Sequence, residues 1–239
     1  MKIKYVFFDC WDTVIHYQTK EPYSELKQIY KHIKNPGSYS FEDFCLDKNK
    51  FMKDYYRDTK YDVSIEALIR FFAEYKGFEF DCTYSKVADD MVKGYEAKTI
   101  DGIEGFIDFL GSRKIHSSVL SNTVLTQKQT EWIIDKAWPN NKFDMILASS
   151  SYGVKKPSKL FFELGANKVN QKPEDCIFIG DNIFTDIVGA YKTGMEPFYF
   201  NWKKRIPTEE ALDNAKKFTE FRSYRELEEI LSDGEKYEF

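Results

Sequence analysis

Four short apolar runs, each ending abruptly in polar residues, constrain the fold of this chain more than any other feature. The runs are 3–8, before Asp9; 117–120, before Ser121 and Asn122; 145–148, before Ser149; and 176–179, before Gly180 and Asp181. Such runs are typical of strands buried on both faces of a parallel sheet. Helical patterns at 103–110, 126–137, 160–169 and 183–191 accompany them. The alternation predicts an α/β fold with a doubly wound, parallel, Rossmann-like sheet, whose ligands bind at the carboxyl ends of the strands.

The segment between the first and second runs breaks this alternation and has helical patterns throughout. Ser64 matches the N-cap of a helical apolar run that Gly77 ends, and Ser40 followed by Asp43 has the spacing of a capping box. These patterns predict a helical domain inserted into the α/β core. The predicted domains are a core of residues 1–16 and 100–239 and an all-helical cap of residues 17–99.

The charge of the chain limits its partners. Its 239 residues carry 35 Lys and Arg against 39 Asp and Glu, so no positive surplus is available for a nucleic-acid backbone or an anionic membrane. No apolar run approaches the roughly 18–20 residues of a membrane span, and the first eight residues stop at Asp9 without a cleavage-like segment. The 4 cysteines are scattered, which favours reduced thiols. We therefore expect a cytoplasmic protein with neither a nucleic-acid nor a membrane partner.

The polar residues near the ends of these runs are candidates for chemistry, although most have an ordinary structural explanation. Asp9 suits a turn, Ser121 suits a helix N-cap, and Lys156 is one lysine among many. Asp181 and Asp186 give the stronger signal. Two carboxylates beside a Gly-Asp turn off a buried strand are unfavourable unless a cation or hydrogen bonds compensate their charge.

In this order and at these separations, the four stretches resemble the haloacid dehalogenase-like hydrolase superfamily, and the resemblance covers nearly the whole chain. The Asp9 strand resembles that family's first motif, Ser121 its second, Lys156 its third, and Asp181 with Asp186 its fourth. The helical insertion between the first and second motifs is similar to the family's cap domain. Four ordered motifs with a cap are far more specific than any one of them.

The resemblance implies a nucleophile and a metal site. Asp9 would attack phosphorus and form an aspartyl phosphate, which water then hydrolyses. Asp9, the backbone carbonyl of Trp11 and Asp181 would be ligands of Mg²⁺, with Asp186 as a further ligand or an outer partner.

The resemblance also implies how the phosphate would be bound. Lys156 would offset the negative charge of the nucleophile and the phosphate together, as a catalytic group beside Asp9. Ser121 and Asn122, with backbone N–H groups, would hold the phosphate oxygens. These assignments make Asp9, Lys156 and Ser121 the expected catalytic residues.

One position departs from the phosphatase pattern of this family. Most of its phosphatases place a second Asp two residues after the nucleophile, to protonate the leaving oxygen and then activate water, whereas this chain has Trp11 there. Indole has no titratable proton near neutral pH, and general acid–base catalysis is worth about 10²–10⁴ in rate. Asp12 or His16 is left as a substitute acid, and a substrate with a good leaving group, such as an acyl phosphate, needs none.

We expect a hydrolase that removes phosphate from a small soluble phosphorylated metabolite, with Mg²⁺ as its cofactor. Two alternatives stay open: a haloacid dehalogenase- or phosphonatase-type hydrolase, and a catalytically weak or silent member that only binds a ligand. The aromatic Trp11 resembles the dehalogenase branch. Against this branch, a bare Asp181 about 4 Å from Asp9 would repel it by about 4 kcal/mol at an effective dielectric constant near 20. The acidic fourth motif therefore favours a metal-dependent phosphohydrolase.

Basic residues elsewhere give no unique candidate for substrate recognition. The predicted cap would choose the substrate, yet its many basic and tyrosine side chains are not distinguished by any pattern. Arg57 and Lys60 in the cap fit a solvated role and a functional role equally well. Lys203, Lys204 and Arg205 near the C-terminus are interpreted as a solvated loop rather than a binding patch.

Overall fold

The computed structural model describes residues 2–18, 21–58, 62–232 and 237–238, with the backbone alone at 56–58. A six-stranded parallel sheet lies at its centre. Its strands are β1 (Tyr5–Phe8), β4 (His116–Ser121), β5 (Ile146–Ala148), β6 (Cys176–Gly180), β7 (Glu196–Phe200) and β8 (Thr219–Phe221). Strands β2 (Ile15–Tyr17) and β3 (Ala97–Thr99) form a separate two-stranded sheet.

The strand order β5-β4-β1-β6-β7-β8 confirms the predicted doubly wound, Rossmann-like fold. The order of strands reverses beside β1, because β4 follows on one side of it and β6 on the other. Phe8 at the end of β1 is in register with Ile179 of β6. The residues that follow these two strands therefore share one crevice at the carboxyl edge of the sheet, where ligands bind in folds of this kind.

Burial on both faces explains the continuous apolar runs of the sequence. Along β1, Val6 and Phe8 belong to one apolar cluster, whereas Tyr5 and Phe7 belong to a second cluster. Successive side chains of a strand point to opposite faces, so both faces of the sheet are covered. A strand in this position needs apolar residues at every position rather than at alternate ones.

Helices cover the sheet largely where the sequence predicts them. The core helices are α5 (Ile103–Ser112), α6 (Gln127–Ala137), α7 (Lys159–Lys168), α8 (Gly189–Thr193), α9 (Glu209–Ala215) and α10 (Tyr224–Ser232). The single helix predicted over 183–191 is instead a π-helical turn, Ile183–Val188, that leads into α8. Within the described ranges, no helix is both long and apolar enough to cross a lipid bilayer.

The described residues of the inserted segment form four helices, and the predicted capping of two of them is confirmed. The helices are α1 (Ser24–Tyr30), α2 (Phe41–Asp58), α3 (Ile65–Lys76) and α4 (Tyr84–Lys93). Ser64 Oγ accepts a hydrogen bond from the Ala67 N–H at 3.3 Å. The Ser40 hydroxyl and the Asp43 carboxylate accept reciprocal backbone hydrogen bonds, each 3.1 Å long. Local hydrogen bonding therefore starts α2 and α3 where the sequence indicates.

The prediction that residues 17–99 are wholly helical is wrong at both ends of the segment. Strand β2 (Ile15–Tyr17) pairs with β3 (Ala97–Thr99) in a two-stranded antiparallel sheet. The two passages of the chain between the core and the helices run side by side, and each satisfies the backbone hydrogen bonds of the other. The division into a core and a cap at these positions stays a prediction.

Candidate active site

Asp9 follows β1 at the crevice between β1 and β6. Its backbone N–H donates to the carbonyl of Ile179 at 2.8 Å, which continues the pairing of the two strands by one residue. Its side chain is only 12% exposed. The strand therefore places a nearly buried carboxylate at the carboxyl edge of the sheet, where the sequence predicts the nucleophile.

Lys156 is buried and bridges two carboxylates. Its Nζ lies 2.6 Å from Asp9 Oδ1 and 2.8 Å from Asp186 Oδ1, and 5.1 Å from the centre of the Phe178 ring. Asn122 fixes its backbone, because Asn122 Nδ2 donates to the Lys156 carbonyl and Asn122 Oδ1 accepts from the Lys156 N–H, both at 2.8 Å. The lysine is thus held by its main chain and its side chain together.

These contacts give Asn122 a positioning role that the sequence does not predict. Both ends of its amide are hydrogen-bonded to Lys156. Only the second N–H of the amide nitrogen is left for a ligand. The predicted contact between Asn122 and a phosphate stays a prediction, whereas its hold on Lys156 is a feature of the fold.

Asp181 and Asp186 meet Asp9 at one point. Carboxylate oxygens of these three residues lie within 4.8 Å of one another. Asp186 is oriented by the Asn182 N–H, which donates to Oδ2 at 3.0 Å, and by the Thr185 hydroxyl at 3.3 Å from Oδ1. A Cβ atom added at Gly180 would lie 2.5 Å from the Asp186 side chain, so glycine is required for this close approach.

The negative charge of this cluster exceeds the buried positive charge. Burial raises the pKa of Asp9 to about 7, with Lys156 opposing the rise and Asp186 and Asp181 adding to it. Burial and the neighbouring Asp186 also raise the pKa of Asp181 to about 6. For Lys156, burial opposes the charged form, but Asp186 and Asp9 together raise its pKa. Three carboxylates facing one buried ammonium provide the hard oxygen ligands and the unbalanced charge that suit a divalent cation such as Mg²⁺.

Ser121 ends β4 with a hydroxyl that is buried and poorly satisfied. Apart from the weakly polar thiol of Cys10, its Oγ has no hydrogen-bond partner within the described part of the chain. A buried hydroxyl without a good partner is unfavourable in a folded protein. Ser121 therefore fits a group that completes its hydrogen bonding with a ligand.

Trp11 packs toward the inserted segment rather than presenting a polar group. Its ring centre lies 6.0 Å from that of Tyr95, which follows α4. The two substitute acids are engaged differently. Asp12 forms an ion pair with Lys203, and His16 lies edge-on to the Trp202 ring, with its buried Nε2 unpaired among the described residues.

Residues 203–205 are exposed, as the sequence predicts, yet two of the three also form ion pairs that the sequence does not predict. Lys203 pairs with Asp12, and Arg205 Nη1 lies 2.9 Å from Asp181 Oδ2, at the site itself. The sequence does not predict these contacts, because it assigns no strand at β7 and so does not place the following loop at the edge of the sheet. A short aromatic run at 198–200 ends at Asn201 and resembles the ends of the four predicted strands, but Glu196 and Pro197 before it weaken the strand pattern.

A link between the inserted segment and the core was also missed. Asp62, which is buried, accepts a hydrogen bond from the Ser149 hydroxyl at 2.7 Å and an ion pair from Lys155 at 3.1 Å. The side chain of Arg57 and the whole of Lys60 lie outside the described residues. Ser149, the polar residue after the third predicted strand, therefore connects the core to the inserted segment through Asp62.

Comparisons with known proteins agree with this geometry. A family model described as haloacid dehalogenase-like hydrolase matches residues 9–199. The chain belongs to this family of hydrolases. Over 212 residues it is 24% identical to the glyceraldehyde 3-phosphate phosphatase of Pyrococcus furiosus, covering 85% of this chain and 82% of that one.

Solved structures give the same fold but include different chemistries. A 2-haloacid dehalogenase from Pseudomonas syringae pv. Tomato superposes with a TM-score of 0.67 at 17% identity, covering 96% of this chain and 98% of that one. A magnesium-bound haloacid dehalogenase-like hydrolase from Bacillus subtilis superposes with a TM-score of 0.62 at 18% identity, covering 97% and 100%. The fold is shared by both, so the reaction has to be argued from the site.

Proposed function

We propose that this protein is a Mg²⁺-dependent phosphohydrolase that acts on a small phosphorylated metabolite through an aspartyl phosphate. The observation that carries the proposal is the meeting of Asp9, Asp181 and Asp186 beside a buried lysine that forms ion pairs with Asp9 and Asp186. A relative named for the hydrolysis of a three-carbon phosphate supports a substrate of this size. A cytoplasmic location and the lack of a nucleic-acid partner stay predictions.

In the proposed reaction Asp9 is the nucleophile. One oxygen of its carboxylate attacks phosphorus, and the bond between phosphorus and the leaving oxygen breaks. Water then attacks the aspartyl phosphate, which releases phosphate and restores the carboxylate. When bound, Mg²⁺ supplies positive charge to the phosphate oxygens and keeps Asp9 ionised, with Asp9, Asp181 and the Trp11 carbonyl as its proposed protein ligands and Asp186 as a further ligand or outer partner.

The other residues of the proposed site bind and orient. Lys156 offsets the charge of Asp9 and of the incoming phosphate, and its fixed position requires no rearrangement during the reaction. Ser121 donates its hydroxyl to a phosphate oxygen, which removes the deficit of a buried and poorly satisfied group. Asn122 acts through Lys156, whose backbone it holds.

The proposed substrate has a leaving group that needs little protonation. Trp11 cannot donate a proton to the leaving oxygen, and Asp12 is engaged by Lys203. An acyl phosphate or another activated phosphate therefore suits this site better than an alkyl ester. General acid catalysis by a residue at position 11 would be worth about 10²–10⁴ in rate on a poor leaving group.

The dehalogenase alternative is less favourable on electrostatic grounds. A 2-haloacid carries its own carboxylate, which would approach a cluster in which burial and mutual repulsion already raise the pKa values of Asp9 and Asp181. A phosphate that arrives with a divalent metal meets less repulsion, because the metal offsets the negative charge of the same cluster. The third alternative, a silent member of the family, predicts binding of Mg²⁺ and phosphate without turnover.

An assay with two leaving groups separates these functions. Hydrolysis of an aryl phosphate and of an acyl phosphate is measured with Mg²⁺ and with a chelator, for the wild type, Asp9→Asn and Trp11→Asp. We expect Mg²⁺-dependent release of phosphate that Asp9→Asn abolishes, and faster ester hydrolysis by Trp11→Asp. Full activity in the chelator would contradict the metal role, and halide release from a 2-haloacid without metal would favour the dehalogenase.

A further inference from the structure

The loop after β7 is fixed by its first residue. We call residues 201–205 the clasp loop. Asn201 is buried, and its Oδ1 accepts a hydrogen bond from the Arg205 N–H at 2.7 Å, while its Nδ2 donates to the Arg205 carbonyl at 2.9 Å. The main chain of Arg205 is therefore held at both polar groups, so the point from which its side chain starts is fixed relative to the end of β7.

The clasp loop also contacts the loop that follows the nucleophile. Trp202 Nε1 donates to the Asp12 carbonyl at 2.8 Å, and Lys203 forms an ion pair with the Asp12 carboxylate. These contacts fix the distance between the end of β7 and the residues just after Asp9. Arg205 is thus presented to the catalytic crevice from a loop that is tied down on two sides.

Arg205 holds Asp181 at two points. Its Nη1 donates to Asp181 Oδ2 at 2.9 Å and to the Asp181 carbonyl at 3.3 Å. Both contacts leave Oδ1 of the carboxylate unused, and no hydrogen bond reaches that oxygen from elsewhere in the described part of the chain. One oxygen of Asp181 is therefore anchored and the other is available.

We propose that Arg205 is a positioning residue for the metal site: it fixes Asp181 through one oxygen so that the other oxygen can bind Mg²⁺. This inference rests on the proposed Mg²⁺-dependent function. Carboxylates that bind metals are commonly held in turn by an outer hydrogen-bonding partner, and losing that partner typically costs about 10–100-fold in metal affinity. A guanidinium suits this role because it stays charged and its donors are rigidly arranged.

A competing role for Arg205 makes the opposite prediction. If the guanidinium merely occupied the position of the metal's charge, its removal would tighten Mg²⁺ binding. The sign of the change in affinity therefore decides between a partner that orients Asp181 and a cation that competes for it.

The test is the dissociation constant for Mg²⁺, measured by titration calorimetry on the full chain without substrate. The variants are Arg205→Ala, Arg205→Lys and Lys204→Asn, the last removing one positive charge from an exposed neighbour in the same loop. We expect Arg205→Ala to weaken Mg²⁺ binding about 10–100-fold. Arg205→Lys should recover part of the loss, and Lys204→Asn should match the wild type.

A kinetic readout distinguishes positioning from general damage to the fold. If Arg205 acts through the metal, raising the Mg²⁺ concentration restores kcat of Arg205→Ala toward the wild-type value, with KM for the phosphate substrate unchanged. Equal or tighter Mg²⁺ binding by Arg205→Ala overturns the inference and leaves the proposed function standing. A wild type that binds no Mg²⁺ overturns both.

Discussion

Two clusters of possible metal ligands, both found among the described residues, differ in how their charge is balanced. Each places three possible metal-binding groups within 4.8 Å of one another, one in the core and one around His32, Asp81 and Cys82 in the inserted segment. In the core cluster, burial raises the pKa values of Asp9 and Asp181. Proximity of ligand atoms is common to both clusters, so it does not by itself distinguish a metal site.

The cluster in the inserted segment has its own cations. Asp90 is buried behind His32, yet hydrogen bonds from Lys86 and Lys93 hold its pKa well below the usual value. His32 lies 2.7 Å from Asp81 and 3.0 Å from Asp90. Two lysines therefore contact the single carboxylate of Asp90, whereas Lys156 and Arg205 are the cations that contact the three carboxylates of the core. The comparison indicates that excess negative charge marks the site for an added cation.

The largest expected effect comes from removing the buried cation of the core. Lys156→Met leaves Asp9 and Asp186 without their shared partner, and breaking a buried ion pair in this way costs about 3–5 kcal/mol. Lys93→Met is the matched change in the other cluster, where Lys93 is 60% exposed and Lys86 remains. It should cost less than about 1 kcal/mol. Urea unfolding at pH 8 measures both, and equal losses would remove the distinction between the clusters.

Addition of Mg²⁺ should separate the clusters next. At 100 times its dissociation constant, a ligand of the folded state alone stabilises it by about 2.7 kcal/mol. We expect Mg²⁺ to raise the Tm of the wild type and of Asp81→Asn equally, and of Asp181→Asn much less. A shift that Asp81→Asn abolishes and Asp181→Asn retains would move the metal site to the inserted segment.

The smallest expected effect is a pH dependence of the metal-free protein. The pKa values of Asp9 and Asp181 in the folded protein are raised to about 7 and about 6, from an ordinary value of 3.8. At a pH between the ordinary value and these raised values, the folded protein therefore binds more protons than the unfolded chain. Stability from these groups is therefore present at low pH and is lost as the pH rises through 6 and 7.

Thermal unfolding in a chelator measures this dependence. The Tm should fall by a few degrees between pH 5 and pH 8, and Mg²⁺ should raise the Tm more at pH 8 than at pH 5. Asp90→Asn is the control, since the lowered pKa of Asp90 places its titration below this range. A Tm that rises from pH 5 to pH 8 in the chelator would show that the core carboxylates are balanced without a metal.

The sequence predicts the parts of the site that end strands. Asp9, Ser121 and Asp181 follow apolar runs, and the parallel sheet brings such ends to one edge. No local sequence pattern marks Lys156 as a site residue. Only its place in the order of the four motifs predicts that it belongs to the site. A lysine in a loop is ordinary until the fold encloses it between two carboxylates.

The sequence does not predict contacts that depend on strand order. Arg205 reaches Asp181 because β7 lies beside β6, and Pro197 within β7 weakens its strand pattern. The π-helical turn that replaces the start of the predicted helix at 183 has a similar cause. Gly180 and Asp186 approach more closely than any other residue at position 180 would permit, so the helix is shaped by tertiary packing rather than by propensity.

The pairing of β2 with β3 has a mechanical consequence. Ile15 of β2 is paired with Thr99 of β3 in this two-stranded ribbon. The chain leaving the core and the chain returning to it therefore cannot shift independently. We expect any movement of the inserted helices relative to the core to turn this ribbon as a unit. Because the chain departs and returns at neighbouring positions, we expect that helices of another length or number could be grafted there while the order of the large sheet is preserved.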